Sequence, residues 1–204
     1  MLFLTTLIYY CTVMISILSD KTTFEAKFIK DVDIQKKFNG IYKCSKARLV
    51  EFDKQNSNDY QVLNDLETLW FEYGYNSKTY VSSILRNLKY YKESPDYIEK
   101  VYALTTQSTN FKNLEKEKIL GVADFQYKKN LNRLDYLQTN PLYIRRYQKQ
   151  NKFRGIGTAI VTILQELSDK SIELTSSRLA EQFYVKLGFK RISDCEPEYL
   201  WEKL

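Results

Sequence analysis

Lys152-Phe153-Arg154-Gly155-Ile156-Gly157-Thr158 runs straight into an apolar stripe of Ile160, Ile163, Leu164 and Leu167 at helical spacing. Glycines at these positions let the backbone curl so that successive N–H groups face one anion, and a helix start adds positive potential. Lys and Arg beside them complement a pyrophosphate or a ribose phosphate. The spacing is not that of a Walker loop, and Ile160 stands where a dinucleotide fingerprint requires its third glycine. Twenty-two residues separate Gly157 from Ala180-Glu181-Gln182-Phe183-Tyr184-Val185-Lys186-Leu187-Gly188-Phe189. It reads as a short helix with Ala180, Phe183, Tyr184 and Leu187 on one face. Gly188 serves as a left-handed C′ residue, and Phe189 folds back on the last turn. Between the two stretches, Ser171 to Ser177 reads as a buried strand. Taken singly, the first is also what a plain helix start in a solvated basic loop looks like, and the second what any capped amphipathic helix looks like.

Upstream, Tyr97 to Thr106, Ile119 to Tyr127 and Leu134 to Thr139 are strand-like runs separated by polar loops, the pattern of an antiparallel meander. Two helical stretches precede them, one from Asp59 to about Tyr73 and one carrying Tyr80, Val81, Ile84, Leu85 and Leu88 and ending before Pro95. Phe24 to Ile29 alternates like a half-buried strand, and Tyr199 to Leu204 closes the chain as another. The expected fold is a single α+β (mixed α/β) domain with a central, mostly antiparallel sheet flanked by helices.

Composition narrows the chemistry. The 204 residues include no histidine, which excludes Ser-His-Asp and Cys-His triads, imidazole metal sites and histidine bases. Cys11, Cys44 and Cys195 form no CxxC pair, so neither zinc nor a disulfide framework is indicated, and buried thiols in a reducing compartment are expected. Arg145, Arg146, Lys149, Lys152 and Arg154 supply five of the six net positive charges, with no acid between Asp135 and Glu166. One local anion site explains this better than a surface coated by nucleic acid.

Taken together, the two stretches resemble the GNAT superfamily of N-acetyltransferases, whose [RQ]-x-x-G-x-[GA] loop for acetyl-CoA is followed by a helix, a strand and an N-x-x-A-x-x-F-Y-x-K-x-G-F segment. The resemblance covers about residues 134 to 204. It implies a GNAT-like N-acetyltransferase domain over residues 20–204 that uses acetyl-CoA as co-substrate and no metal. Direct attack by a primary amine in a ternary complex is the implied mechanism. The amides of residues 152 to 157 would hold the pyrophosphate, with Lys152 or Arg154 supplying charge. Phe153, Gly155, Ile156, Gly157 and Thr158 complete that loop, and Ser177 and Ala180 flank the cofactor. The strand end at Thr139 would pair with the pantetheine arm. Tyr184 matches the tyrosine that protonates the departing thiolate, and a phenol keeps its proton at neutral pH. Asp124, Asp135 and, less well placed, Glu173 are the acids available as a base.

This chain departs from the family pattern in three ways. Lys152 replaces Arg or Gln, Ser177 stands where Asn is frequent, and residues 140–151 form a longer connection than the compact family pattern has. That connection would wrap the 3′-phosphate end of CoA, help select the acceptor, or remain solvated. The alternative function is a catalytically inactive GNAT-like module that binds CoA or a protein partner, and a weaker one is a nucleic-acid-binding domain. No nucleic-acid partner is expected, and a homodimer is left open. Residues 1–19 form an apolar extension with three readings: a spurious start before Met14, a membrane anchor, or a strand of the fold. The expected location is accordingly cytoplasmic, or membrane-anchored through residues 1–18.

Overall fold

Each apolar stripe needs a sheet face to cover it. A computed structural model, describing residues 26–53, 56–71, 77–90, 96–143 and 152–203, shows how the two faces are shared out. The strands are β1 (Lys27–Phe38), β2 (Ile41–Glu51), β3 (Tyr97–Thr105), β4 (Ile119–Lys128), β5 (Asn132–Thr139), β6 (Phe153–Arg154), β7 (Ile172–Thr175), β8 (Lys190–Arg191) and β9 (Glu198–Trp201). The helices are α1 (Ser57–Phe71), α2 (Ser77–Tyr90), α3 (Ile156–Leu167) and α4 (Glu181–Lys186). All described strands join one sheet in the order β6-β1-β2-β3-β4-β5-β7-β9-β8. Every pairing is antiparallel except β5 with β7. The mixed α+β architecture is thus the one the sequence pattern indicates.

Val62, Leu63, Leu66 and Trp70 of α1 and Val81, Ile84 and Leu85 of α2 cover one face, packing on Val50, Val101, Ala103, Ile119 and Val122. The α3 stripe covers the other, with Ile156, Ile160, Ile163 and Leu164 against Leu49, Tyr102, Leu104, Leu120, Ala123 and Leu134. Because both faces of β3 and β4 are covered, these strands read as almost continuous apolar runs. Helix α3 crosses β4 at Gly121, where a Cβ would lie 3.0 Å from the Gln138 carbonyl oxygen and 3.1 Å from Ile156 and Ile160 side-chain carbons. Helix α4 closes as expected: Gly188 takes φ +87°, Phe189 N–H donates to Tyr184 O at 3.2 Å, and Gly188 N–H donates to Val185 O at 3.1 Å.

Four features were not anticipated. Strand β2 completes a long hairpin with β1 through an Asn39-Gly40 turn, both residues at positive φ. Strand β2 pairs with β3 only over Arg48–Glu51, so the rest of the hairpin projects past β3. Phe153 and Arg154 do not belong to a free loop: they pair with Lys36 and Gln35 on the outer edge of β1, and Lys37 N–H donates to Lys152 O at 2.8 Å. The short strand β8 pairs with β9. Finally, Cys44 and Cys195 are exposed rather than buried: Cys44, on the projecting hairpin, donates its thiol proton to Asp33 Oδ1 at 3.4 Å, and Cys195 lies in the turn before β9. The 1–19 extension, Cys11 and the basic residues Arg145, Arg146 and Lys149 fall outside the described residues. Among the described residues, no helix is long and apolar enough to cross a membrane.

Candidate active site

Strands β5 and β7 pair only over Asn132–Leu134 and Ile172–Leu174. Beyond Leu134, β5 keeps β4 on one side as far as Thr139, whereas β7 turns to β9 alone. The backbone of residues 136–139 on the β7 side is therefore open, and two parallel strands that part leave a slot suited to an extended, amide-bearing chain. Asn140 fixes the end of β5: its N–H donates to Leu120 O at 2.8 Å, its Nδ2 donates to Ile119 O at 2.9 Å, and its Oδ1 accepts from Leu142 N–H at 3.0 Å.

The N-terminus of α3 sits at that end of the slot. Gly155 caps it at φ +78°, a left-handed conformation that disfavours any side chain, and Ala159 N–H makes the first helical bond to Gly155 O at 2.8 Å. The N–H groups of Ile156, Gly157 and Thr158 consequently have no partner within the helix. No side chain caps this terminus. A Cβ on Gly157 would lie 3.2 Å from Phe183 Cζ and 3.7 Å from Thr139 Oγ1. The glycine thus lets α3, α4 and the end of β5 meet, and a larger residue would fill the cradle they form.

On the face covered by α1 and α2, the neighbourhood of the slot is acidic. Asp124 lies on β4 between Val101 of β3 and Tyr136 of β5. It is fully buried, and neither carboxylate oxygen has a hydrogen-bond partner of good geometry. Burial pushes its pKa up to about 8, with the nearby charges of Glu99 and then Asp135 adding to the effect. Glu99, itself buried, accepts a hydrogen bond from Asn87 Nδ2 at 3.1 Å. Gln138, 1% exposed, leaves both amide atoms unpartnered. Orphaned buried polar atoms at this density mark a place where a ligand or water completes the structure.

The other two candidate acids are engaged. Asp135 occupies a bulge in β5 between the Asp124–Tyr136 and Phe125–Leu134 pairs, and it accepts from Arg133 Nε at 2.6 Å and from Gln126 Nε2. Glu173 accepts from Arg133 Nη1 at 3.3 Å and sits 3.6 Å from Lys128 Nζ. Of the three, Asp124 alone has no cation beside it among the described residues; its polar neighbours are Glu99 and Asn87.

The residues singled out from sequence are brought together in part. Thr139, Gly157 and the α4 aromatics meet, and Ala180 N–H donates to Ser177 O at 2.9 Å at the start of α4. Tyr184 is buried, its ring edge-on to Phe183 at 4.9 Å and to Phe189 at 5.7 Å. It belongs to the core on the α3 face, opposite the face that carries Asp124. Lys152, Phe153 and Arg154 are drawn toward β1 instead. Phe153 is buried against Tyr143, with ring centroids 4.9 Å apart, and the Arg154 guanidinium lies 3.9 Å from the Tyr42 ring centroid. Glu99, Asn87 and Gln138 were not anticipated. An acid at an inward position of the alternating run Tyr97 to Val101 was the one available signal for Glu99.

No family model and no curated protein sequence matches the chain. Solved structures do. The acetyl-CoA-bound AtaTR structure is 14% identical, covering 76% of this chain and 92% of its own, with a TM-score of 0.50. A putative N-acetyltransferase from Lactobacillus plantarum is 13% identical, covering 78% of this chain and 99% of its own, with a TM-score of 0.49. With its parted β5 and β7, its glycine-capped α3 and its mixed sheet, nine-stranded among the described residues, the chain has the fold of the GNAT N-acetyltransferases.

Proposed function

We propose that the protein transfers an acetyl group from acetyl-CoA to the primary amine of a positively charged acceptor, by direct attack in a ternary complex. The observation that carries this is the position of the orphaned Asp124 carboxylate, one strand away from the point where β5 and β7 part. Neighbouring strands lie about 5 Å apart, so a carboxylate there is within reach of a group entering the slot.

The N–H groups of Ile156, Gly157 and Thr158, freed by Gly155, would take the pyrophosphate, with Lys152 and Arg154 adding positive charge and Phe153 anchoring the loop. The open backbone up to Thr139 would pair with the pantetheine amides and hold the thioester carbonyl as an oxyanion site does. Ser177 and Ala180 form the opposite wall at the start of α4. Asp124, with Glu99 beside it, attracts an ammonium ion and takes the proton the amine must lose. As the new C–N bond forms and the C–S bond breaks, Tyr184 gives its proton to the departing thiolate from the opposite face of the sheet. Asp124 and Tyr184 therefore act from two sides of one slot, and no covalent enzyme intermediate is required. The proposed compartment is the cytoplasm, where exposed thiols such as those of Cys44 and Cys195 stay reduced.

Calorimetric titration of acetyl-CoA and of desulfo-CoA, beside a Gly155→Glu variant, tests the cofactor site. Binding of both by the wild type and its loss in the variant is the expected result. A folded wild type that binds neither removes the transferase assignment. Binding without acetyl transfer to any member of an aliphatic-amine panel leaves a non-catalytic CoA-binding module.

A further inference from the structure

The acyl-transfer chemistry leaves Gln138 without a task, although it lies beside the slot. It sits on β5 past Leu134, where pairing with β7 ends. On β4 it faces Val122, which packs in the core covered by α1 and α2. Residues directly opposite on neighbouring strands share a face, so the Gln138 side chain lies on the face that carries Asp124. Asp124 opposes Tyr136, the next residue of β5 on that face. The two polar groups are therefore diagonal neighbours, with Cβ atoms about 7 Å apart.

Gln107 shows how this fold treats a buried glutamine that only holds structure. It is 4% exposed, and its Nε2 donates to the carbonyl oxygens of Thr109 at 3.0 Å, Asn110 at 2.7 Å and Asn113 at 3.1 Å. Its Oε1 accepts from Glu115 N–H at 2.9 Å. Gln138 is buried more deeply, at 1% exposure, yet neither Nε2 nor Oε1 has a partner. A carboxamide offers two N–H donors and an acceptor oxygen, and burying them empty forfeits their hydration for nothing in return. A ligand that completes Gln138 brings an acceptor and a donor together.

We propose that Gln138 reads the group next to the reacting amine, and that this group is an amide: the acceptor is the N-terminus of a peptide chain. With the ammonium group at Asp124, the carbonyl carbon of such a chain lies two bonds from the amine nitrogen and the first amide nitrogen three. That short separation suits the diagonal between carboxylate and carboxamide. Gln138 Nε2 donates to a peptide carbonyl oxygen, and Oε1 accepts from a peptide N–H. An aminoacyl ester has the carbonyl but no N–H, and would leave Oε1 empty. The methylenes beside a lysine ε-amine supply neither group. The inference rests on the acetyl-transfer reading above and narrows its acceptor.

The test compares the full-length wild type with Gln138→Met, which keeps the length of the side chain and removes its polar atoms. Acetyl transfer is measured to alaninamide, alanine methyl ester, isopropylamine and Nα-acetyl-lysine amide. The quantity read is the wild-type to variant ratio of kcat/KM for each amine, in which the amine's own basicity cancels. It should be about 50 for alaninamide, as loss of two hydrogen bonds implies, about 10 for the ester, and at least tenfold below the alaninamide value for the other two. The melting temperature should not fall, and calorimetric affinity for acetyl-CoA should hold. In the wild type itself, KM should be about tenfold lower for alaninamide than for isopropylamine, a result that does not depend on the variant's folding. Equal ratios for all four amines, or equal wild-type KM values, overturn the proposal while leaving acetyl transfer intact. A ratio for the ester as large as for alaninamide overturns it in favour of an aminoacyl ester. A wild type that acetylates none of the four removes the acetyl-transfer reading, and this inference with it.

Discussion

Two charged regions of this molecule are built on opposite principles. At the hairpin tip and β6, cations stand in water beside aromatic rings and, among the described residues, without ion pairs. Beside the slot, Asp124 and Glu99 are carboxylates withdrawn from water onto the central strands. Exposed cations cost the fold little and act over a distance that salt shortens. Buried carboxylates cost the fold more and salt screens them poorly, and the protonation of Asp124 responds to pH in the range where enzymes work. The first region suits a partner held by charge, and the second suits chemistry.

Breaking the buried side should have the largest effect. Asp124→Asn should lower kcat/KM for the amine about 100- to 1000-fold, the range expected for loss of a positioned base. Because Asp124 titrates at about 8, wild-type kcat/KM should rise with pH through that value. The variant should lose this limb while keeping any limb that belongs to the substrate amine. Acetyl-CoA affinity, measured calorimetrically, should not move, and an equal loss of cofactor affinity would erase the distinction between base and binding wall.

Tyr184→Phe tests the other face of the sheet. A fall of about 10- to 100-fold in kcat, with KM for acetyl-CoA little changed, is expected of a proton donor to the leaving group. Poor-leaving-group thioester analogues should suffer more than good ones. A variant that loses stability and activity together would reduce Tyr184 to a core ring packed on Phe183 and Phe189.

The smallest effect sharpens what burial alone does to a carboxylate. Asp59, 1% exposed in the first turn of α1, accepts Asp53 N–H at 2.8 Å on one oxygen and leaves the other unpartnered. Desolvation pushes its pKa up to about 7 from 3.8. The folded chain therefore holds a proton that the unfolded chain releases. That contribution to stability is fully present below about pH 4 and lost as pH rises through 7. Asp59→Asn should make the protein about 2 kcal/mol more stable at pH 8 and nearly unchanged at pH 4, as followed by urea unfolding. Equal effects at both pH values would mean that packing, not the proton, decides the site.

The C-terminal half was legible because its signals are local. Gly155 and Gly157 act through backbone freedom, Gly188 through a helix cap, and the α3 and α4 stripes through one period. The β1–β2 hairpin was harder, since much of it projects beyond the sheet and so lacks the buried face that gives a strand its alternation. In β1 only Val32 and Ile34 are buried, and Asn39-Gly40 was the usable mark. Strand β6 could not be read at all, because two residues become a strand only when β1 arrives. For the acids, the sequence offered Asp124 and Asp135 on strands and Glu173 as a poorer third, with nothing to choose among them. Choosing Asp124 required knowing that Arg133 occupies both Asp135 and Glu173, which a bulge and a parallel pairing bring about.

The mooring of β6 to β1 has a consequence for how this chain tolerates change. Residues 144–151 run between two fixed points: Asn140, bonded back onto β4, and Phe153, packed on Tyr143 and paired with β1. Because hydrogen bonds and packing within the scaffold hold both of these points, their positions do not rest on the chain between them. Insertions and deletions there leave Gly155 and the start of α3 where they are. The molecule can therefore vary what this segment meets, generation after generation, without moving the start of α3.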